Sequence, residues 1–227
     1  MKFSVLTLFP ELIETYTTTS IIGRGVANGA ITVEAINPRN FTTNKHKKVD
    51  DTPYGGGAGM VLACQPVIDA YRSLLPLNPK AKVILTSPTG QQFTHSLAKQ
   101  WAETTDQLVI LCGHYEGFDE RIVELIPELE AVSVGDFVVT GGELPALLMI
   151  DAVSRLVAGC VQSQESVEND SFYNGLLDFP HYTKPAVFEG LEVPPVLLSG
   201  NHAEIEKWRK AQALARTKAM RPDLLDR

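Results

Sequence analysis

Three apolar runs in the middle of the chain each end in a loop bearing glycine or proline. They are Ile84-Leu85-Thr86-Ser87-Pro88, Ile110-Leu111-Cys112-Gly113-His114-Tyr115-Glu116-Gly117, and Val132-Ser133-Val134-Gly135-Asp136-Phe137-Val138-Val139-Thr140-Gly141-Gly142. Glycine has no Cβ, so its amide and carbonyl can approach a ligand closely, and three such loops side by side would wall a binding crevice. Candidate proton acceptors stand further on, in a polar stretch that holds Glu165, Glu168, Asp170 and Asp178. Residue type does not rank these four, and the ordinary reading of an aspartate in such a stretch is a solvated or turn-capping group. Arg155 follows Asp151 at the spacing of an ion pair along one helix face. Basic residues gather at Lys45, Lys47 and Lys48, and again at Lys207, Arg209, Lys210, Arg216 and Lys218. A charge run is most often a solvated face, but two separated patches in an otherwise acidic chain fit a phosphate track better.

The elements that must position these groups follow from patterning. Parallel strands buried on both faces read as short continuous apolar runs, and ligands of open α/β sheets lie beyond the strands' carboxyl ends, which is where the three loops begin. Phe3 to Leu8 reads as a first strand, Pro10 opens a helix, and Ile31 to Ile36 alternates as an edge strand would. Asn37 to Gly59 is polar and glycine-rich and reads as a mobile loop. Gln65 to Leu75 has helical spacing, Val83 to Thr86 is a strand, and Glu143 to Val157 is a strong helix starting directly after a glycine loop. Gln162 to Asn174 has almost no aliphatic residue besides Val167 and reads as an interdomain linker. Glu204 to Met220 closes the chain as a helix, with Asn201 and Glu204 placed like a capping box and Ile205, Trp208 and Ala211 on one face. The expected division is a first domain over 1–161, a linker over 162–174 and a small, mainly helical domain over 175–227.

Composition narrows the class. A chain of 227 residues with 44% hydrophobic and 21% charged residues can bury a sizeable core. Its net charge of -7 argues against a uniformly cationic surface, while leaving room for a local basic patch. Cys64, Cys112 and Cys160 are too few and too scattered for a disulfide framework or a zinc site, and a reducing, cytoplasmic setting is expected. The apolar start is cut by Pro10-Glu11, and Leu144 to Ile150 by Asp151, well short of the roughly 20 apolar residues of a membrane helix, so a soluble protein is expected. A dinucleotide site is not indicated, since no G-x-G-x-x-G joins a first strand to a helix, and the 55–59 glycine cluster lacks the lysine and hydroxyl of a phosphate loop.

The chain also carries long ordered motifs: Leu8-Phe9-Pro10, Asp51-Thr52-Pro53-Tyr54-Gly55-Gly56-Gly57-Ala58-Gly59-Met60, Cys112 to Arg121, Val134 to Pro145, Asp170-Ser171-Phe172 and Pro180-His181-Tyr182-Thr183-Lys184-Pro185. In these it closely resembles the bacterial tRNA (guanine-N1-)-methyltransferase family over nearly its whole length. The resemblance implies an α/β domain of the SPOUT class with a parallel sheet tied in a deep trefoil knot, which patterning would never suggest. It implies transfer of a methyl group from S-adenosylmethionine, leaving S-adenosylhomocysteine, to N1 of the guanosine on the 3′ side of the anticodon, in a homodimer whose active sites draw on both chains. Mg2+ is carried as a further candidate cofactor, with no metal ligand assigned.

By the same resemblance Asp170 is the general base and Arg155 faces the O6 edge of guanine. Thr86, Ser87, Pro88, Gly113, Tyr115, Glu116, Gly117, Ser133, Val134, Gly135, Phe137, Val138, Val139, Gly141 and Gly142 line the cofactor. Gly59, Lys45, Ser171, His181, Lys207 and Lys210 meet the tRNA. Two positions depart from the pattern: His114 and Lys184 stand where some or many members have arginine. A knotted methyltransferase acting on another RNA and a noncatalytic RNA-binding module are the rival readings.

Overall fold

In chain order the strands are β1 (Lys2–Leu6), β2 (Thr32–Ile36), β3 (Asp50–Asp51), β4 (Val61–Leu62), β5 (Ala81–Gln92), β6 (Gln107–Leu111), β7 (Leu129–Ser133), β8 (Val187–Phe188) and β9 (Leu191–Glu192). The helices are α1 (Pro10–Thr17), α2 (Ser20–Ala27), α3 (Cys64–Arg72), α4 (His95–Thr104), α5 (Arg121–Leu125), α6 (Glu143–Ser154), α7 (Gln164–Glu168), α8 (Pro195–Leu198) and α9 (His202–Met220). This computed structural model describes residues 1–226, without the side chains of Gln164 and Glu165. The chain divides into two compact units, Met1–Gln162 and Ser163 onward.

In the first unit, β2-β1-β6-β5-β7 form one sheet in that order, and every neighbouring pair is parallel. Side chains alternate across a strand, so a run such as Leu108-Val109-Ile110-Leu111 serves two cores at once. Leu108 and Ile110 join Phe3, Val5, Ile84 and Val132 beneath α2, α4 and α6, where Trp101, Met149, Ile150 and Val153 pack. Val109 and Leu111 join Leu6, Val83 and Leu85 on the other face, beneath α3 and α5, with Val67, Ile68 and Ile122. Sequential parallel strands require crossovers, and α4 and α5 supply those after β5 and β6. The strand after α5 is β7, which pairs with β5 and not with β6, so β5 lies between them.

One expectation is corrected, and two elements are filled in. The 37–59 segment is not a bare loop: Pro38–Asn40 form a turn of 3-10 helix, Asp50–Asp51 pair with Val61–Leu62, and Val49 is fully buried. The helix at 95–104, which the sequence reading did not register, is capped by the Thr94 hydroxyl accepting from the Leu97 N–H at 3.3 Å. On α9 the buried residues are Ala213 and Thr217; Ile205 and Trp208 are partly exposed and Ala211 is exposed. The Asn201 side chain does cap that helix, accepting from the Glu204 N–H at 3.4 Å.

The second unit combines α7, α8, α9 and the β8–β9 hairpin. The 164–168 helix lies inside the stretch that composition marks as a linker, and Val167 is buried. Thr217 Oγ1 donates to the Ala213 carbonyl and accepts the Leu177 N–H at 2.9 Å, which pins the 170–178 turn to α9.

Candidate active site

Within the first unit the carboxyl ends of β5, β6 and β7 open on one cavity of about 570 Å³. Each residue expected to line a cofactor borders it, together with Leu85, Phe118, Val132 and Pro145, which the sequence reading did not assign to the cofactor. The cavity exists because β5 leaves the ladder after Thr86 and rejoins it at Gln91, so that Ser87 to Gly90 swing out as its first wall. Gly90 makes the rejoining possible, since a Cβ there would lie 2.2 Å from the Ala131 carbonyl carbon.

The second and third walls press on each other. The Gly142 N–H donates to the Gly113 carbonyl at 2.8 Å, and a Cβ on Gly142 would lie 2.2 Å from Thr86 Oγ1 and 2.6 Å from the Gly113 nitrogen. Thr86 Oγ1 donates to the Leu111 carbonyl at 3.1 Å and accepts the Gly113 N–H at 3.4 Å. The loop after β6 turns through Tyr115, at φ 59°, and Gly117, at φ 115°. A tyrosine in that left-handed region is uncommon and is held there by its surroundings. Its far end is fixed by Arg121, which donates to both Asp119 oxygens at 2.9 and 2.6 Å and holds that carboxyl well below the usual range. Phe137 and Val138 are 58% and 87% exposed at the mouth.

Gly141 needs its missing side chain for steric reasons and not for a left-handed backbone. A Cβ there would lie 2.4 to 2.5 Å from the His114 ring and 2.6 Å from Glu143 Oε2. Glu143, the first residue of α6, is buried, with Oε1 accepting the Thr7 hydroxyl at 2.5 Å and Oε2 lying 2.7 Å from His114 Nε2. Burial and the Glu143 charge push the nearby Cys112 thiol well above its ordinary value.

The 55–62 loop is laced to the loop after β6. The Glu116 N–H donates to the Met60 carbonyl at 3.0 Å, the Leu62 N–H to Gly117 at 2.9 Å, and the Asp119 N–H to Leu62 at 2.9 Å. Gly59, at φ +85°, sits where any Cβ would overlap the Glu116 carboxylate, 2.3 Å from Oε1. Tyr54 and Lys45 are exposed on the same stretch.

Arg155 caps α6, its N–H bonded to the Asp151 carbonyl at 3.1 Å, and its side chain is exposed. The Asp151 carboxylate accepts the Tyr16 hydroxyl at 2.6 Å, which pushes Tyr16 up to about 12. In the second unit Asp170 lies in a turn, its N–H on the Val167 carbonyl and its carbonyl accepting from Tyr173. The rival Asp178 is engaged through both oxygens, by the Phe179 N–H at 2.7 Å and by His181 Nε2 at 2.7 Å, and its own N–H donates to Ser171 Oγ at 2.9 Å. Glu168 is exposed, and the Glu165 side chain lies outside the described residues. Lys207 and Lys210 are exposed on α9, while the Arg209 guanidinium between them in sequence sits 4.9 Å over the Phe179 ring, which is tilted by 42° against the His181 ring. Among the described residues no group of three or more histidines, cysteines or acids could hold a metal ion, and no helix is long and apolar enough to cross a membrane.

The model of the family described as tRNA (Guanine-1)-methyltransferase TrmD matches residues 1–227. Among curated relatives, the tRNA (guanine-N(1)-)-methyltransferase of Ruminiclostridium cellulolyticum is 53% identical over 228 residues, covering 100% of this chain and 97% of its own length. That of an Exiguobacterium species is 55% identical, covering 100% and 93%. That of Nostoc punctiforme is 48% identical, covering 100% and 94%.

Proposed function

Because the chain belongs to the tRNA (guanine-1)-methyltransferase family, we propose that its crevice holds S-adenosylmethionine and that it methylates N1 of the guanosine on the 3′ side of a tRNA anticodon. The observation that carries this reading is the cavity at three strand ends, bordered by Gly113, Gly117, Gly135, Gly141 and Gly142, of which Gly141 and Gly142 let neighbouring loops pack where a Cβ would not fit. Its size suits a nucleoside ligand, since such sites run from about 300 to 1,000 Å³. When bound, S-adenosylmethionine supplies a methyl group activated by its sulfonium. Backbone groups of 86–88, 113–117 and 133–142 would hold the adenine edge and ribose, with Val134 and Val139 available to flank the base and Glu116 to meet the cationic end.

N1 of neutral guanine carries a proton, so its lone pair is free only once that proton leaves. Asp170, the position to which the family resemblance points, takes the proton. Enclosure by the docked guanine would raise the basicity of the Asp170 carboxylate. Arg155 stabilises the negative charge that grows on O6. Lys45, Gly59, Ser171, His181, Lys207 and Lys210 contact the tRNA, and 175–227, with 162–174 leading into it, serves as the RNA-binding domain.

The chain acts as a homodimer. Supporting this, Leu12 and Tyr16 on α1 and Leu144 and Leu148 on the adjacent α6 leave an exposed apolar face. The trefoil knot of the SPOUT class belongs to the same reading, as does a cytoplasmic setting; for the Mg2+ candidate, the described residues offer no cluster of three or more histidines, cysteines or acids.

Calorimetric titration tests the crevice. Wild type is expected to bind S-adenosylmethionine, and a folded Gly142→Ala variant to lose that affinity, since its methyl would press on Thr86 and the Gly113 backbone. Unchanged affinity would remove this wall from the cofactor site.

A further inference from the structure

Among the described residues Glu143 is the only charged side chain in the buried interior. An ionised carboxylate out of water is tolerated only when its oxygens are hydrogen-bonded. Both Glu143 oxygens are, and the partners come from two other segments of the chain. Thr7 follows β1 and donates to Oε1 at 2.5 Å while its own oxygen accepts the Phe9 N–H at 2.9 Å. His114 belongs to the loop after β6 and meets Oε2 at 2.7 Å. Because the carboxylate can only accept, His114 must present Nε2–H to it. Glu143 itself opens α6 directly after Gly141 and Gly142, so one carboxylate joins three chain segments.

We propose that Thr7, His114 and Glu143 form a positioning brace for the cofactor loops, acting on the ligand through the backbone of Gly141 and Gly142. His114 forms a backbone bridge with Gly141, its ring centroid lies 4.9 Å from that of Phe9, and with Glu143 it fills the space that a Gly141 side chain would need. The Gly142 N–H on the Gly113 carbonyl then closes the two loops on each other. If either donor is removed, the buried carboxylate is left short of a partner. The nearest relief is a shift of the first turn of α6 that admits water, and that shift moves Gly141 and Gly142, the third wall of the cavity. The brace is distinct from the groups that act on guanine. It rests on the reading that the crevice holds S-adenosylmethionine.

The experiment compares wild type, His114→Leu, His114→Gln and Thr7→Val by calorimetric titration with S-adenosylmethionine, alongside hydrogen exchange of the Gly142 amide in cofactor-free protein. His114→Leu and Thr7→Val are expected to weaken binding about tenfold or more, with faster Gly142 exchange, because each deletes a hydrogen bond to a charge. His114→Gln, whose amide can donate at nearly the same place, is expected to stay within about threefold of wild type. A purely structural role would lower thermal stability without this split between leucine and glutamine. Wild-type affinity in His114→Leu, or a His114→Gln as weak as His114→Leu, overturns the brace. Should His114→Leu not fold, Thr7→Val carries the same comparison from the other oxygen. Failure of wild type to bind S-adenosylmethionine would remove the crevice assignment and the role of the brace with it, whereas normal wild-type binding with an indifferent His114→Leu removes the brace alone.

Discussion

Taking a proton from a guanine nitrogen requires a group that can accept it, and an amide cannot. Asp170→Asn is nearly isosteric, so the fold and cofactor affinity should persist while single-turnover methyl transfer falls by about 10² to 10⁴. A rate within about threefold of wild type would exclude the role. Cys112 offers a second check at this scale. Burial and the Glu143 charge hold its folded pKa well above the ordinary 9.0, so the protonated thiol's contribution to stability is complete below about pH 9 and is lost as pH rises beyond it. Alkylation followed by mass spectrometry at pH 8 should therefore find Cys112 at least about tenfold slower in the folded protein than in denaturant. Cys112→Ala should lack the alkaline loss of stability. Single residues were legible only where a motif held them. The Thr7–Glu143 bond spans 136 positions, and nothing local in either residue announces the other. Glu143 reads from sequence as an ordinary acid in the first turn of a helix.

At the scale of elements, patterning worked where burial imposes a period. The apolar runs at 84–85, 108–111 and 132 lie on β5, β6 and β7, side by side, and the loops after them enclose one cavity, because strands buried on both faces tolerate little else. It failed where backbone geometry does the work. The return of β5 at Gln91 depends on Gly90 passing against Ala131, and the polar 37–59 stretch is organised around the buried Val49, which its composition hides. On α9 Lys207, Lys210 and Lys218 are exposed, as a surface tracking RNA requires. Replacing Lys207, Lys210 and Lys218 together by alanine should weaken tRNA binding and reduce the slope of log affinity against log salt by roughly one per lost phosphate contact. Cofactor affinity should be unaffected. An unaltered slope would take α9 off the phosphate path.

For the whole molecule, the two groups assigned to guanine lie in different compact units, Arg155 in the first and Asp170 in the second, whereas the sequence reading put Asp170 in a linker between two domains. If one guanine is served by Arg155 of one chain and Asp170 of another, co-expressed Arg155→Ala and Asp170→Ala chains should regain activity. About half of statistical dimers would be mixed, each with one intact site, giving about a quarter of the wild-type rate. Purified mixed dimers as inactive as their parents would place both residues in one chain or leave one without a part. The proposed knot is a feature that patterning cannot reveal, since no local period encodes threading. The central claim is the destination of the methyl group. Incubating the protein with unmodified tRNA and S-adenosylmethionine carrying an isotopically labelled methyl, then digesting the RNA and sequencing the fragments by mass spectrometry, reads it directly. The expected result is label on N1 of the guanosine 3′ to the anticodon, abolished in Asp170→Asn; label on another nucleoside, or none, would contradict the account.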